Sequence, residues 1–220
     1  ERALVAAGHP VCNVGYPSRQ ENIQQLAQDH VLPKIRACLP GYAGPVHFVT
    51  HSMGGLVVRQ LAQQQALQIG RVVMLAPPNR GSEIVDRLGD NALFRRVGGP
   101  AAQQLRSRAD DPAPPSFQLG VLAGDRTLNP WLSLLLPGAN DGKVTVASTR
   151  LPGMQDFRVL HTSHPLILHN RTAIDMTVNF IEFGCFAKAD SPRSRLHDSI
   201  PAARPGVSRD GTLPQGCTSA

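Results

Sequence analysis

The 220 residues are 41% hydrophobic and 17% charged, a globular composition with enough chain for one sizeable core and a tail. Aromatics at 5% are too few for a base-stacking nucleic-acid platform, and the net charge of +6 comes from dispersed Lys and Arg with no basic run, so the charge reads as a solvated surface. No apolar run approaches the ~18 residues of a transmembrane helix, and Cys12, Cys38, Cys185 and Cys217 show none of the Cys-x-x-Cys spacing of a zinc or dithiol site.

The chain opens without Met, inside an amphipathic stretch, Arg2 to Ala7, that Gly8 should stop. It therefore reads as a processed protein or a fragment, and its compartment, cytoplasmic or secreted, stays open, as does any disulfide pairing. Val11–Tyr16 reads as a buried strand with Cys12 as a small core residue. Ser18 and Glu21 have the spacing of a capping box, which would start a helix with an apolar stripe at Ile23, Leu26, Ala27 and Val31; Pro33 should kink it. A strand over Val46–Val49 and a helix reaching about Ile69, stopped by Gly70, come next. A strand over Arg71–Leu75, a loop Ala76–Ser82 and short helical pieces from Glu83 to about Arg108 follow, then a Pro-rich linker. Ile84, Val85, Leu88, Leu93, Phe94 and Val97 would form a small cap or, more simply, pack amphipathic helices. Strands are expected at Gln118–Gly124 and Asp156–Leu160, with a long loop between them holding Trp131 and Leu134–Leu136, an extended Val144–Val146, and a final helix at Arg171–Phe183. From residue 187 to 220, Pro, Ser, Gly and Arg dominate without periodicity, so a disordered tail is expected. Strands alternating with helices indicate an α/β domain over 1–186 with a parallel sheet, whose ligands bind at the carboxyl ends of the strands.

The most informative stretch is Thr50-His51-Ser52-Met53-Gly54-Gly55. A strand precedes it and an amphipathic helix follows, which is the context of a nucleophile elbow. A sharp turn projects the Ser52 hydroxyl clear of the sheet, small residues let helix and strand pack closely, and the Met53 N–H at the helix start can meet a developing oxyanion. The elbow pattern is Gly-x-Ser-x-Gly; Thr50 stands where the first Gly belongs, so a methyl and a hydroxyl must be accommodated there.

A serine hydroxyl needs a base, and the base an orienting carboxylate, in the chain order Ser, acid, His. His164, beyond the last strand, is the candidate base; His161 is its rival, while His169 would cap or pack. Asp141, in the turn Asn140-Asp141-Gly142-Lys143, is the candidate acid; Asp125, directly after a strand, competes. His51 beside the nucleophile reads as pocket-lining.

On these landmarks, with Leu75-Ala76-Pro77-Pro78-Asn79-Arg80-Gly81-Ser82, Asp141-Gly142-Lys143-Val144 and His164 before a terminal helix, residues 1–186 resemble bacterial lipases and esterases of the α/β-hydrolase superfamily. The resemblance implies a three-layer, mostly parallel α/β-hydrolase sheet, hydrolysis of small-molecule or lipid carboxylic esters, no metal or organic cofactor, and pocket-lining places for Asn79 and Ser82. It also favours Asp141 over Asp125. An acyltransferase or thioesterase with the same triad, or a non-catalytic hydrolase-fold binding module, is the alternative. Oligomeric state is not legible. Relatives carry a His-Gly segment, source of a second oxyanion donor, on a strand between those matching Val11–Tyr16 and Val46–Thr50. Without that segment the sheet is expected to lack its N-terminal strands and to show a hole or a forced re-pairing there.

Overall fold

The computed structural model describes residues 1–91, 99–106, 112–128, 130–134 and 136–186. The tail from 187, the cap positions Leu93, Phe94 and Val97, and Leu135 lie outside them.

Four strands form one sheet in the order β1 (Val46–His51), β2 (Ile69–Leu75), β3 (Gln118–Gly124) and β4 (Asp156–Leu160), every neighbouring pair parallel. Parallel neighbours require crossovers, and β1 reaches β2 through helix α4 (Gly54–Gln63), which follows α1 (Arg2–Ala6), α2 (Ile23–Gln25) and α3 (Leu32–Cys38). Strand β2 is covered on both sides, which is why its sequence is a continuous apolar run rather than an alternation. Val73 and Leu75 turn to one face, where they meet Ala173, Met176, Phe180 and Ile181 of the long C-terminal helix (Arg171–Phe183), with Leu4 of α1 beside them. Val72 and Met74 turn to the other, against Val58 of α4 and the β3 residues Leu119 and Val121. The result is three layers. Beyond α4, Val57 and Leu61 bury Leu26, Ala27, Val31 and Ile35.

Arg71 fastens the lower end of the sheet. Its guanidinium donates to the carbonyls of Ile181 and Glu182 at 2.8 Å each and to Gln118 Oε1 at 2.9 Å. These carbonyls belong to the last turn of a helix and have no partner within it, so a cation there satisfies them and opposes the negative end of the helix dipole. Gly184, at φ 78°, ends that helix.

β3, β4 and the C-terminal helix match the sequence reading at both ends; the elements near the N-terminus differ. Val11–Tyr16 forms no strand: it is irregular and only partly buried, with Val14 and Tyr16 packed on the layer beneath α4. A strand exists only when a neighbour takes its backbone hydrogen bonds, and among the described residues no strand pairs with this segment or with the outer edge of β1. Cys12 is not a lone core residue but is bridged to Cys38 at the end of α3, with Cα atoms 6.2 Å apart; Cys185 is disulfide-bonded too. Helix α2 is capped by Asn22, not Ser18, because Asn22 and Gln25 form the reciprocal capping box, while Glu21 pairs with His30 at 2.8 Å. The chain passes Pro33 by opening a π-helical turn over Leu26–Val31 just before it. Helix α4 stops at Gln63, since Gln65 turns the chain at φ 49°, and Gly70 lies inside β2 rather than at a helix end.

The Cys12–Cys38 bridge closes a 26-residue separation and ties the irregular segment to a helix. Replacing both cysteines with Ser is expected to lower unfolding free energy by about 2–4 kcal/mol, measured by urea denaturation.

Candidate active site

Strand β1 delivers His51 and Ser52 to the carboxyl edge of the sheet. Ser52 has φ 54°, a left-handed conformation that a non-glycine residue adopts only when its surroundings impose it. The imposing contacts are local. The Ser52 N–H donates to the Leu75 carbonyl at 2.9 Å, and the Ser52 carbonyl accepts from Gly55 N at 3.2 Å as α4 begins. A Cβ built on Gly55 would lie 2.8 Å from Met74 Sδ, so only glycine lets the helix settle onto β2. Gly54 does the same against β1, where a Cβ would lie 3.3 Å from Thr50 Cβ. The Thr50 methyl would stand at an ordinary 3.9 Å from a Cβ at Gly54, so the close approach is to Thr50 Cβ alone, while Thr50 Oγ1 is left buried without a hydrogen-bond partner among the described residues. Met53 is the N-cap residue of α4, so its N–H is directed away from the helix.

Two loops meet this elbow. His164 Nε2 lies 3.1 Å from Ser52 Oγ, and His164 Nδ1 lies 2.8 Å from Asp141 Oδ2, with both side chains almost wholly buried. The second carboxylate oxygen, Oδ1, accepts from the backbone N–H groups of Lys143 and Val144 at 3.0 and 2.9 Å, and the His164 N–H donates to the Asp141 carbonyl at 3.0 Å. Asn140 Oδ1 accepts from Gly142 N and from Ser133 Oγ, so the turn is fixed from its own interior. Thr145 then bridges back to Asn140 and caps a short helix, Val146–Thr149, where the sequence suggested an extended segment.

The rival residues fall together elsewhere: Asp125 and His161 pair with each other at 2.8 Å, and His161 is 64% exposed. His169 ends a short 3-10 turn, and the cap of the last helix is Asn170, whose side chain accepts from Ala173 N. Asn79 and Ser82 are buried, but their bonds go elsewhere: Asn79 Nδ2 donates to the Thr149 carbonyl at 2.8 Å, and Ser82 N to the Leu105 carbonyl at 2.7 Å. Asn79 borders a cavity of about 440 Å³, lined also by Arg59, Arg80 and Arg106, that includes neither Ser52 nor His164. Trp131 and Leu134 are exposed, at 81% and 75%, and Leu136 is buried; Ile84 and Val85 are core residues.

Two contributors escaped the sequence reading. A Cβ on Gly124 would lie 2.5 Å from the Thr162 carbonyl oxygen and 2.9 Å from Asp141 Cβ, so this glycine lets the acid and base loops close on each other. A glycine ending a strand is too common to stand out by spacing. Glu83 Oε1 accepts from Thr145 Oγ1 at 2.8 Å and Ser148 Oγ at 2.6 Å, anchoring the far side of the acid turn; a glutamate in a first helical turn carries no such signal in sequence.

An α/β-hydrolase family model matches residues 6–202. The chain belongs to the alpha/beta hydrolase family. Among solved structures it is similar to a lipase, BlEst2, of Bacillus licheniformis in mature form, at 20% identity and TM-score 0.54, over 76% of this chain and 74% of that one. It is similar also to a metagenomic carboxyl esterase, MGS0156, at 20% identity and TM-score 0.55, over 69% of this chain and 53% of that one. At such identity the likeness is one of fold. No curated protein is matched by sequence.

Gly124→Ala pushes a methyl into a backbone carbonyl, and the loops must part. It is expected to slow reaction of Ser52 with a fluorophosphonate by about 10²-fold, the scale of a misplacement near 1 Å, while the folded state persists by circular dichroism. The site also carries a pH signature. Burial, then the neighbouring His164, hold His51 below its usual value of 6.5. His47 is lowered as well, by burial and then by Arg71 and His9. As pH falls below 6.5 the unfolded chain binds these protons before the folded one does, so stability present above that value is progressively lost. Urea midpoints should fall between about pH 7 and pH 5, less steeply in His51→Gln, which removes one of the two groups.

Proposed function

We propose that this hydrolase cleaves carboxylic esters, of small molecules or lipids, through a Ser52–His164–Asp141 triad. The observation that carries the reading is the unbroken relay from Ser52 Oγ to His164 Nε2, and from His164 Nδ1 to Asp141, on an elbow whose serine has φ 54°. Support comes also from the names of the fold neighbours, a lipase and a carboxyl esterase.

The chemistry follows from the geometry. A carboxylate accepts only, so Asp141 selects the tautomer with the proton on Nδ1 and leaves the Nε2 lone pair toward the serine hydroxyl. His164 takes the proton as Ser52 Oγ attacks the ester carbonyl, and Asp141 stabilises the imidazolium so formed. The Met53 N–H, free at the start of α4, meets the oxyanion of the tetrahedral intermediate. His164 then gives its proton to the leaving alkoxide, which departs as alcohol. Water, deprotonated by the same imidazole, attacks the acyl-enzyme and releases the acid and the serine hydroxyl. No group beyond these side chains is required to balance the steps. The two backbone donors on Asp141 Oδ1 keep the carboxylate fixed while its other oxygen serves His164.

Ser52→Ala is expected to abolish p-nitrophenyl ester hydrolysis and fluorophosphonate labelling together, and Asp141→Asn to reduce turnover by about 10⁴-fold by presenting the wrong tautomer. Wild-type rates in Ser52→Ala would refute the assignment. Labelling of Ser52 with transfer to an added alcohol or thiol outpacing hydrolysis would make the enzyme an acyltransferase, and absence of labelling in the wild type would make the fold a binding module.

A further inference from the structure

His51 is the residue beside the nucleophile, and its ring reaches across the site. Its Nε2 lies 2.9 Å from the backbone carbonyl oxygen of His164, and the two imidazoles stand with centroids 4.7 Å apart at an interplanar angle of 47°. A carbonyl oxygen only accepts, so the proton of this bond sits on His51 Nε2. The main chain of His164 is therefore held at both polar atoms: its N–H by the carbonyl of Asp141 at 3.0 Å and its carbonyl by His51. The imidazole of His164 is held at its two ring nitrogens by Asp141 and Ser52. The acid anchors the base residue through side chain and backbone alike. On the nucleophile's side, Ser52 reaches the ring and His51 reaches the backbone.

Resting on the triad reading, we infer that His51 is a positioning residue: its Nε2–H ties the base loop to the end of β1 and so fixes the imidazole of His164 in line with Ser52 Oγ. The loop is seated on either side of the base, by the Thr162 carbonyl, which accepts from Arg126 N at 3.1 Å, and by the buried Ile167 side chain, while Leu166 and Leu168 are exposed and Ser163 Oγ is buried without a partner among the described residues; the tie from His51 falls at the base itself. The charge state suits the task. With His51 held below its usual value, it stays neutral while His164 becomes an imidazolium, and no second cation stands 4.7 Å from the first. The charged groups facing His51 besides His164 are Asp141, which favours its proton, and Lys143, which opposes it.

Two substitutions separate the donor from the ring. His51→Phe keeps the ring and its packing but removes the N–H. His51→Gln keeps an N–H at about the same reach and removes the ring. His51→Phe is expected to lower kcat for a p-nitrophenyl ester by about 10- to 100-fold with KM within about twofold, because the loss falls on alignment and not on substrate contact. His51→Gln restores kcat to within about threefold. Exchange of the hydrogen-bonded amides of His164 and Ile167 should quicken in His51→Phe and stay at the wild-type rate in His51→Gln. Unchanged kcat and exchange in His51→Phe would overturn the inference. So would an equal loss in both variants, which would assign the effect to the ring. If fluorophosphonate fails to label wild-type Ser52, the triad reading fails on its own, and the exchange measurement still decides whether His51 holds the loop.

Discussion

The left-handed backbone of Ser52 is the constraint on which the rest of the site depends. A serine at φ 54° is held there by neighbours, not by preference. One neighbour is β2, whose Leu75 carbonyl takes the serine N–H. Another is α4, which can lie close to the sheet only because Gly54 and Gly55 bring no side chain to Thr50 and Met74. The sheet order, the crossover helix and two glycines thus converge on one torsion angle. That angle lifts the hydroxyl above the strand ends, where loops from the far side of the sheet arrive. The same device recurs one strand on. Ala76, immediately after β2, has φ 49° and donates its N–H to the Leu122 carbonyl of β3, so the strand bearing the elbow and its neighbour both end in a tight left-handed step.

The acid and base loops are assembled by a different principle. Asp141 does not follow a strand directly; it sits in a turn braced by Asn140, Lys143, Val144 and, from behind, by Glu83 through Thr145 and Ser148. Asp125 does follow a strand directly and is spent on exposed His161. Position at a strand end was therefore the weaker guide to the carboxylate that reaches His164. The Asp-Gly turn was the stronger one, because its backbone N–H groups at Lys143 and Val144 supply the donors that a buried carboxylate needs.

How much of this was legible from sequence follows from the range of the forces involved. β3 and the terminal helix combine an apolar run or helical periodicity with Gly or Asn at their ends, so local pattern and tertiary environment agree. Ser52, Asp141 and His164 could be singled out before the structure brought them together because the elbow and the Asp-Gly turn are local patterns, with chain order and the family resemblance favouring Asp141 over Asp125. Val11–Tyr16 was misread because apolar β-branched residues mark a strand only if another strand is there to pair with it, and pairing is not written in the segment itself. The helix start at Asn22 was missed because Ser18–Glu21 and Asn22–Gln25 both satisfy the capping pattern, and the first lost its glutamate to His30. Gly124, Glu83 and the bond from His51 to the His164 carbonyl join residues far apart in the chain, and no spacing rule reaches them.

The site draws its residues from both described edges of the sheet. β1 carries Ser52 and is the outermost described strand on its side, with Val49 39% exposed, and β4, which leads into the His164 loop, is the outermost described strand on the other, with Val159 44% exposed. An edge strand has half the lateral support of a central one, so the position of Ser52 is set mostly from the β2 side and from above. From the β2 side come the Leu75 carbonyl and Met74; from above comes His164, with His51 reaching back to it. The bond from His51 thus couples the end of one edge strand to the loop that follows the other. The coupling runs both ways: what holds the His164 loop to the end of β1 also holds that strand end, with Ser52 on it, to the loop.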